Sequence, residues 1–172
     1  MRRLLSAAFM GALIIVTSGG CVIPSEEAAT PPAQVHAADA RALAYGRTVG
    51  EVLQNPELKD KIRALFGADW TPATEGRTTV PQGAAAYFQK SGPLRMVRIG
   101  GADYIAIDGC VPSACQTKRG LLLIQEGGSQ LLAGLDDGGL SHYYAYGGSV
   151  SADSARPLVD GARTALQGLD NP

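Results

Sequence analysis

From Leu94 onward the chain falls into short apolar-rich segments separated by paired glycines. "LRMVRI" sets Leu94 and Met96 against Arg95, and Val97 and Ile99 against Arg98, and Gly100-Gly101 follows as a hairpin turn signal. "ADYIAID" supplies the return strand and runs straight into Cys110. "KRGLLLIQ" is a strongly apolar strand, "EGGS" turns it, "QLLAGLDD" returns, and a further glycine pair leads into "SHYYAYGG". The period changes upstream. "ADARALAYGRTVGEVL" places Leu43, Val49, Val52 and Leu53 near one helical face, interrupted by Gly46 and Gly50. Asn55-Pro56 marks a break, with Pro56 suited to the first turn of a second helix carrying Leu58, Ile62, Leu65 and Phe66, and Gly67 stops it. Between Trp70 and Pro93 the pattern points to loops, with "AAAYFQK" as a short strand or helical turn. "SADSARPLVDGARTALQGL" reads as a closing helix, capped by Ser151 or Ser154, with Pro157 acceptable only in its first turn. Helices, about five consecutive strands joined by tight turns, then a helix: the expected class is α+β, an antiparallel meander with helices packed on one face.

The first residues carry a different message. Arg2 and Arg3 precede a mostly apolar run, Leu4 to Val16, too short to span a bilayer comfortably, and small residues lead up to Cys21. This three-part layout is that of an export signal, and the cysteine directly after the small residues makes it look like a bacterial lipoprotein signal, although Ser18 stands where such signals usually carry an aliphatic residue. Cleavage before Cys21 with acylation of its thiol is expected, and Val22 in the following position points to outer-membrane sorting. Residues 1–20 are then the signal peptide. Residues 21–38, rich in Pro, Ala and Glu, form a disordered tether to the membrane, with His36 in or beside it, and residues 39–172 form one folded domain.

Export changes the meaning of the cysteines. With Cys21 lipidated, Cys110 and Cys115 remain as the one free pair, in an oxidising periplasm where a disulfide persists. They lie between two predicted strands. A bridge there closes the small loop "CVPSAC" and contributes about 2 kcal/mol at most by loop closure. Its larger effect is stiffness, because Pro112 fixes one dihedral and the bridge fixes the ends. A plain staple of the hairpin end accounts for the spacing equally well. A redox site needs a two-residue spacing, and a metal site needs more ligands than His142, the one histidine of the folded part, can add.

Charge narrows the partners. Without the signal, thirteen basic residues face sixteen acidic ones, a net charge of −3, with no basic run. That leaves no footprint for nucleic acid and weakly favours a cationic partner. No cofactor motif is present. Ser141, His142, Asp136 and Asp137 invite a catalytic-triad reading, but neighbours on a strand point to opposite faces. Tyr143, Tyr144 and Tyr146 read as core and surface of their strand, with a sugar-binding platform as the alternative.

"YIAIDGCVPSACQTKRGLLLIQEGGSQLLAGL", Tyr104 to Leu135, resembles the vertebrate-lysozyme inhibitor family, often called Ivy. Family members have a tyrosine-bearing strand, a cysteine pair four residues apart with proline second after the first cysteine, an apolar strand, a polar turn and a glycine-containing strand. "ADWTPATEG" resembles the family's tryptophan segment, "YYAYGG" fits before the final helix, and the resemblance covers most of Tyr45 to Leu169. It implies a periplasmic inhibitor, not an enzyme, whose disulfide-closed loop of Cys110, Val111, Pro112, Ser113, Ala114 and Cys115 enters the cleft of lysozyme or of a peptidoglycan-cleaving relative such as a lytic transglycosylase. The family's loop histidine, which meets the target's catalytic carboxylates, is replaced here by Ser113, and its acidic neighbour by Ala114. Exchanging a charge-assisted bond for a neutral one costs roughly 1–2 kcal/mol, about tenfold in affinity. Lys118 and Arg119, just beyond the bridge, are expected to offset part of this, or else to be solvated residues at a strand start. The alternative is an envelope lipoprotein of the same fold that has lost lysozyme binding. Self-association into a homodimer stays open.

Overall fold

The structure is a computed structural model that describes residues 31–72 and 80–170. The expected signal peptide, Cys21 and most of the expected tether lie outside the described residues, as does the end of the tryptophan segment. Seven strands form one antiparallel sheet: β1 (Ala33–His36), β2 (Lys90–Ser91), β3 (Arg95–Ile99), β4 (Ala102–Cys110), β5 (Lys118–Gln125), β6 (Leu131–Asp137) and β7 (Leu140–Tyr146). The spatial order is β1-β3-β4-β5-β6-β7, with β2 also pairing to β4. The α+β meander expected from the alternation is therefore present, and β3 to β7 follow one another as the apolar segments and glycine turns require.

Two strands exceed the expected five. β1 lies inside the segment expected to be a tether and pairs with β3, Ala33 opposite Ile99 and Val35 opposite Val97. Its signal is only "AQVH", two half-buried residues alternating with two exposed ones, too short to show as a period. The fold thus begins before residue 39. β2 continues along the same edge of β4 as β3, with its pairing to β4 shifted by one position between the two, and Gly92, Pro93 and Leu94 fill the break.

Helices cover both faces of the sheet, not one. On the first face α1 (Val49–Gln54) and α2 (Lys59–Phe66) place Val49, Val52, Leu58, Ile62, Leu65 and Phe66 against Met96, Ile105, Ile107, Leu122 and Ile124. On the second face α3 (Ala152–Asp170) lays the stripe Ala155, Val159, Ala162 and Leu166 over Val97, Tyr104, Ala106, Leu121, Leu123 and Leu132. This explains the uninterrupted run Leu121 to Ile124. A strand covered on both faces has no polar side, and all four residues are buried.

The first expected helix is split. Ala40–Leu43 forms a single 3-10 turn, and α1 starts only at Val49. Gly46 sits between them at φ +151°, where an added Cβ would meet Glu51 Cβ at 2.7 Å. Thr48 then restarts the helix, its side chain accepting from Glu51 N at 3.2 Å, while Glu51 Oε2 accepts from Arg47 N at 2.7 Å. Both helix prolines depart from their expected places. Pro56 lies in the turn that precedes α2, not in its first helical turn. Pro157 lies in the second turn of α3 instead of the first, and the carbonyl it leaves unpaired belongs to exposed Asp153, where water can serve it.

At one end of the sheet an ion-pair network ties the 3-10 turn Ala40–Leu43 to two hairpins. Arg41 Nη1 reaches Asp103 at 2.8 Å and Glu126 at 3.1 Å, Arg41 Nη2 reaches Asp39 at 2.6 Å, and Arg98 Nε reaches Asp103 at 2.7 Å. The hydrogen bonds from Arg98 and then Arg41 hold the Asp103 carboxyl well below the usual carboxylate range. A lowered folded-state value means that the stabilisation is complete above the unfolded-state value of about 4 and is lost as pH falls from there towards the folded-state value. Asp103→Asn is expected to lower the unfolding temperature at pH 7 and to flatten its fall below about pH 4. Thermal unfolding across an acid series checks this, and an acid slope identical to that of the parent contradicts it.

Candidate functional site

The cysteine loop stands where β4 and β5 part. The two sulfurs are bonded, with Cα atoms 4.9 Å apart. One main-chain hydrogen bond spans the ring and two tie it to the start of β5. Val111 N donates to Lys118 O at 3.1 Å, Ala114 N to Val111 O at 2.9 Å, and Lys118 N to Ala114 O at 2.8 Å. The turn at the end of β6 braces it from the side, Gly138 N donating to Thr117 O at 2.9 Å. Pro112 and Ser113 occupy the middle of the resulting four-residue turn, and both are exposed.

The six loop residues expected to make contact do not behave alike. Val111 is half-buried and packs its side chain back against the first core, so it anchors the loop and does not present itself. Cys110, Ala114 and Cys115 are half-buried. The presented surface is Pro112 and Ser113, flanked by exposed Gln116 and Thr117. The Ser113 hydroxyl has no hydrogen-bond partner among the described residues.

The loop rests on a base built by a facing glycine pair. Gly109 of β4 lies opposite Gly120 of β5. A 3-10 turn, Ala84–Phe88, presses on both: a Cβ at Gly109 would meet Tyr87 O at 2.7 Å, and one at Gly120 would meet Tyr87 Cβ at 2.9 Å and Phe88 Cζ at 3.1 Å. Tyr87 is fully buried, and burial, reinforced by the Asp137 charge, pushes its phenol up to about 12.

The two cations expected to support the loop separate. Lys118 faces the same side as α1 and α2 and pairs with Asp137 at 2.8 Å, so its charge is already neutralised within the protein. Arg119 faces the α3 side, directly opposite Cys110 in register, and has no ion pair among the described residues. On the far side of Cys110 stands Lys90 of β2, also in register and exposed. Nothing in the linear pattern singles out Lys90 or the two glycines, because their roles come from pairing across strands.

The alternative chemistry suggested by residue types does not assemble. Ser141 Oγ donates to Asp136 Oδ1 at 2.8 Å on the α3 face, while His142 lies on the opposite face of β7, its Nε2 buried without a hydrogen bond among the described residues. Tyr144 packs edge-on to Phe66 at 4.9 Å and donates to Asp69 at 2.9 Å, and Trp70 stacks on Phe66 at 5.7 Å. Tyr143 donates to Asp160 of α3 at 2.9 Å. These aromatics are tied into the two cores and do not form a platform. No group of three or more side chains able to hold a metal ion occurs among the described residues. None of the described helices is long and apolar enough to cross a membrane.

No family model matches the chain, and no curated protein matches it. What the loop can do therefore follows from its geometry and its motif.

Gly120→Ala is expected to force Tyr87 and the 3-10 turn away from the base of the loop and to cost about 1–3 kcal/mol, the usual penalty for overpacking. Urea unfolding of the variant measures this, and an unchanged midpoint contradicts the close-packed base.

Proposed function

We propose that this protein is an exported inhibitor of lysozyme or a related peptidoglycan-cleaving enzyme, anchored to the outer membrane through lipid on Cys21, and that it acts by plugging the enzyme's cleft with the loop Cys110–Cys115. The observation that carries the reading is the loop itself: a covalent ring, tied to β5 by main-chain hydrogen bonds and braced at Thr117 by the β6–β7 turn, with Pro112 and Ser113 as the ring's only exposed residues. A loop already held in one shape loses little conformational entropy on docking, so the same contacts yield more affinity. The protein needs no chemistry of its own for this. It occupies the groove in which two carboxylates cleave the glycan, and the substrate is excluded.

The position of Ser113 at the tip places a short neutral hydroxyl where the resembling family has histidine. The ring survives this change because its stiffness depends on Cys110, Pro112 and Cys115 and on main-chain bonds, none of which involves the Ser113 side chain. The expected consequence is weaker inhibition with the same geometry.

The test uses the full chain with Cys21→Ser, in a cell-wall lysis assay with c-type lysozyme. Inhibition is expected, and Cys110→Ser with Cys115→Ser should abolish most of it while the circular dichroism spectrum stays intact. Serine variants are preferable to a reductant, which also acts on disulfides of the enzyme. Ser113→His should tighten inhibition about tenfold by adding a charge-assisted bond. Absence of inhibition at large excess, or inhibition indifferent to opening the ring, contradicts the proposal. The first result leaves an envelope module of the same fold that does not bind lysozyme.

A further inference from the structure

Resting on the inhibitor reading, we propose that Lys90 and Arg119 form the acid-recognition site of the interface, a two-cation clamp that takes carboxylates of the target cleft while Pro112 and Ser113 supply the shape.

The strand register makes the arrangement. Lys90 of β2 lies opposite Cys110 of β4, and Cys110 lies opposite Arg119 of β5. The three side chains therefore project from one face in a lateral row, with a disulfide sulfur in the middle and a cation on each side. Strands lie about 4.8 Å apart, so the two cationic side chains start about 10 Å apart, and both are long enough to reach one anion between them. An open depression of about 260 Å³ surrounds the bridge, lined among others by Lys90, Ser91, Asp108, Cys110, Cys115 and Arg119. Asp108 contributes one negative charge to its floor and already has a partner of its own. Two cations over one engaged carboxylate leave the depression positive, on a chain whose expected mature form is net negative.

Neither clamp residue has an ion pair among the described residues, in contrast with Lys118, which is held by Asp137. Guanidinium and ammonium groups without internal partners beside a rigid protrusion suit a partner whose groove carries acidic side chains. A glycan-cleaving cleft carries at least two. Arg119 can meet a carboxylate with two parallel N–H groups, and Lys90 adds a mobile point charge. The clamp thus supplies the charge that the neutral Ser113 cannot.

Surface plasmon resonance with immobilised c-type lysozyme and the full chain carrying Cys21→Ser tests this. Lys90→Glu and Arg119→Glu are each expected to weaken binding about ten- to hundredfold. Arg119→Lys should lose less, and Lys59→Glu on α2, across the sheet, should change little despite the same change in net charge. Raising salt from about 50 to about 300 mM should weaken the parent strongly and the double variant Lys90→Glu/Arg119→Glu much less. Unfolding temperatures of the variants close to the parent's are part of the expected result. A double variant that binds as the parent does, with the same salt dependence, overturns the clamp while leaving the inhibitor reading in place. A parent that does not bind removes both.

Discussion

The bond between Cys110 and Cys115 closes a ring at the point where β4 and β5 separate, and its usefulness depends on what lies beneath it. A disulfide alone fixes two ends. Here Cys110 ends β4, and main-chain bonds at Val111 and Ala114 tie the ring to Lys118 at the start of β5, in a sheet covered on both faces, so the ring cannot tilt without breaking those bonds. The facing glycines Gly109 and Gly120 let the 84–88 turn pack directly under its base, and the β6 turn holds Thr117 from the side. The loop inherits the rigidity of the sheet, and Pro112 and Ser113 are the residues of the ring left exposed.

Magnitudes decide how this device works. Loop closure over so few residues contributes at most about 2 kcal/mol to stability, a modest fraction of what a domain this size needs. The core, split into a helical face and an α3 face, carries the fold. On the proposed inhibitor reading the ring's effect falls instead on binding, where each side chain that arrives already ordered avoids a cost of about 0.5–1.5 kcal/mol. In the proposed complex a stiff neutral tip would set the register, and charge would then have to come from residues around it. Lys118 is withdrawn by Asp137, which leaves Lys90 and Arg119 on the opposite face of the sheet.

Much of the architecture was legible in the sequence, because its long elements repeat a period. β5 follows "KRGLLLIQ" residue for residue, and the stripe of α3 follows from its alternating four- and three-residue spacing. The placement of the helices was not legible, since an apolar strand such as Leu121 to Ile124 shows that both faces are covered without saying by what. β1 escaped because four residues carry too little alternation, and the split at Gly46 depended on a close approach to Glu51 that no local pattern encodes. The ring could be read from cysteine spacing together with the expected export. Its support could not: Gly109 opposite Gly120, Lys90 opposite Cys110 and Lys118 beside Asp137 are all consequences of register, which joins residues far apart in the chain.

The central claim is that the loop and the enzyme's glycan substrate compete for one groove. Competition binding of the full chain with Cys21→Ser and a short chito-oligosaccharide to c-type lysozyme tests this most directly. The account predicts mutual exclusion, with the apparent Kd of the protein rising in proportion to the sugar concentration. A ternary complex, with both bound at once and neither affinity changed, would contradict it.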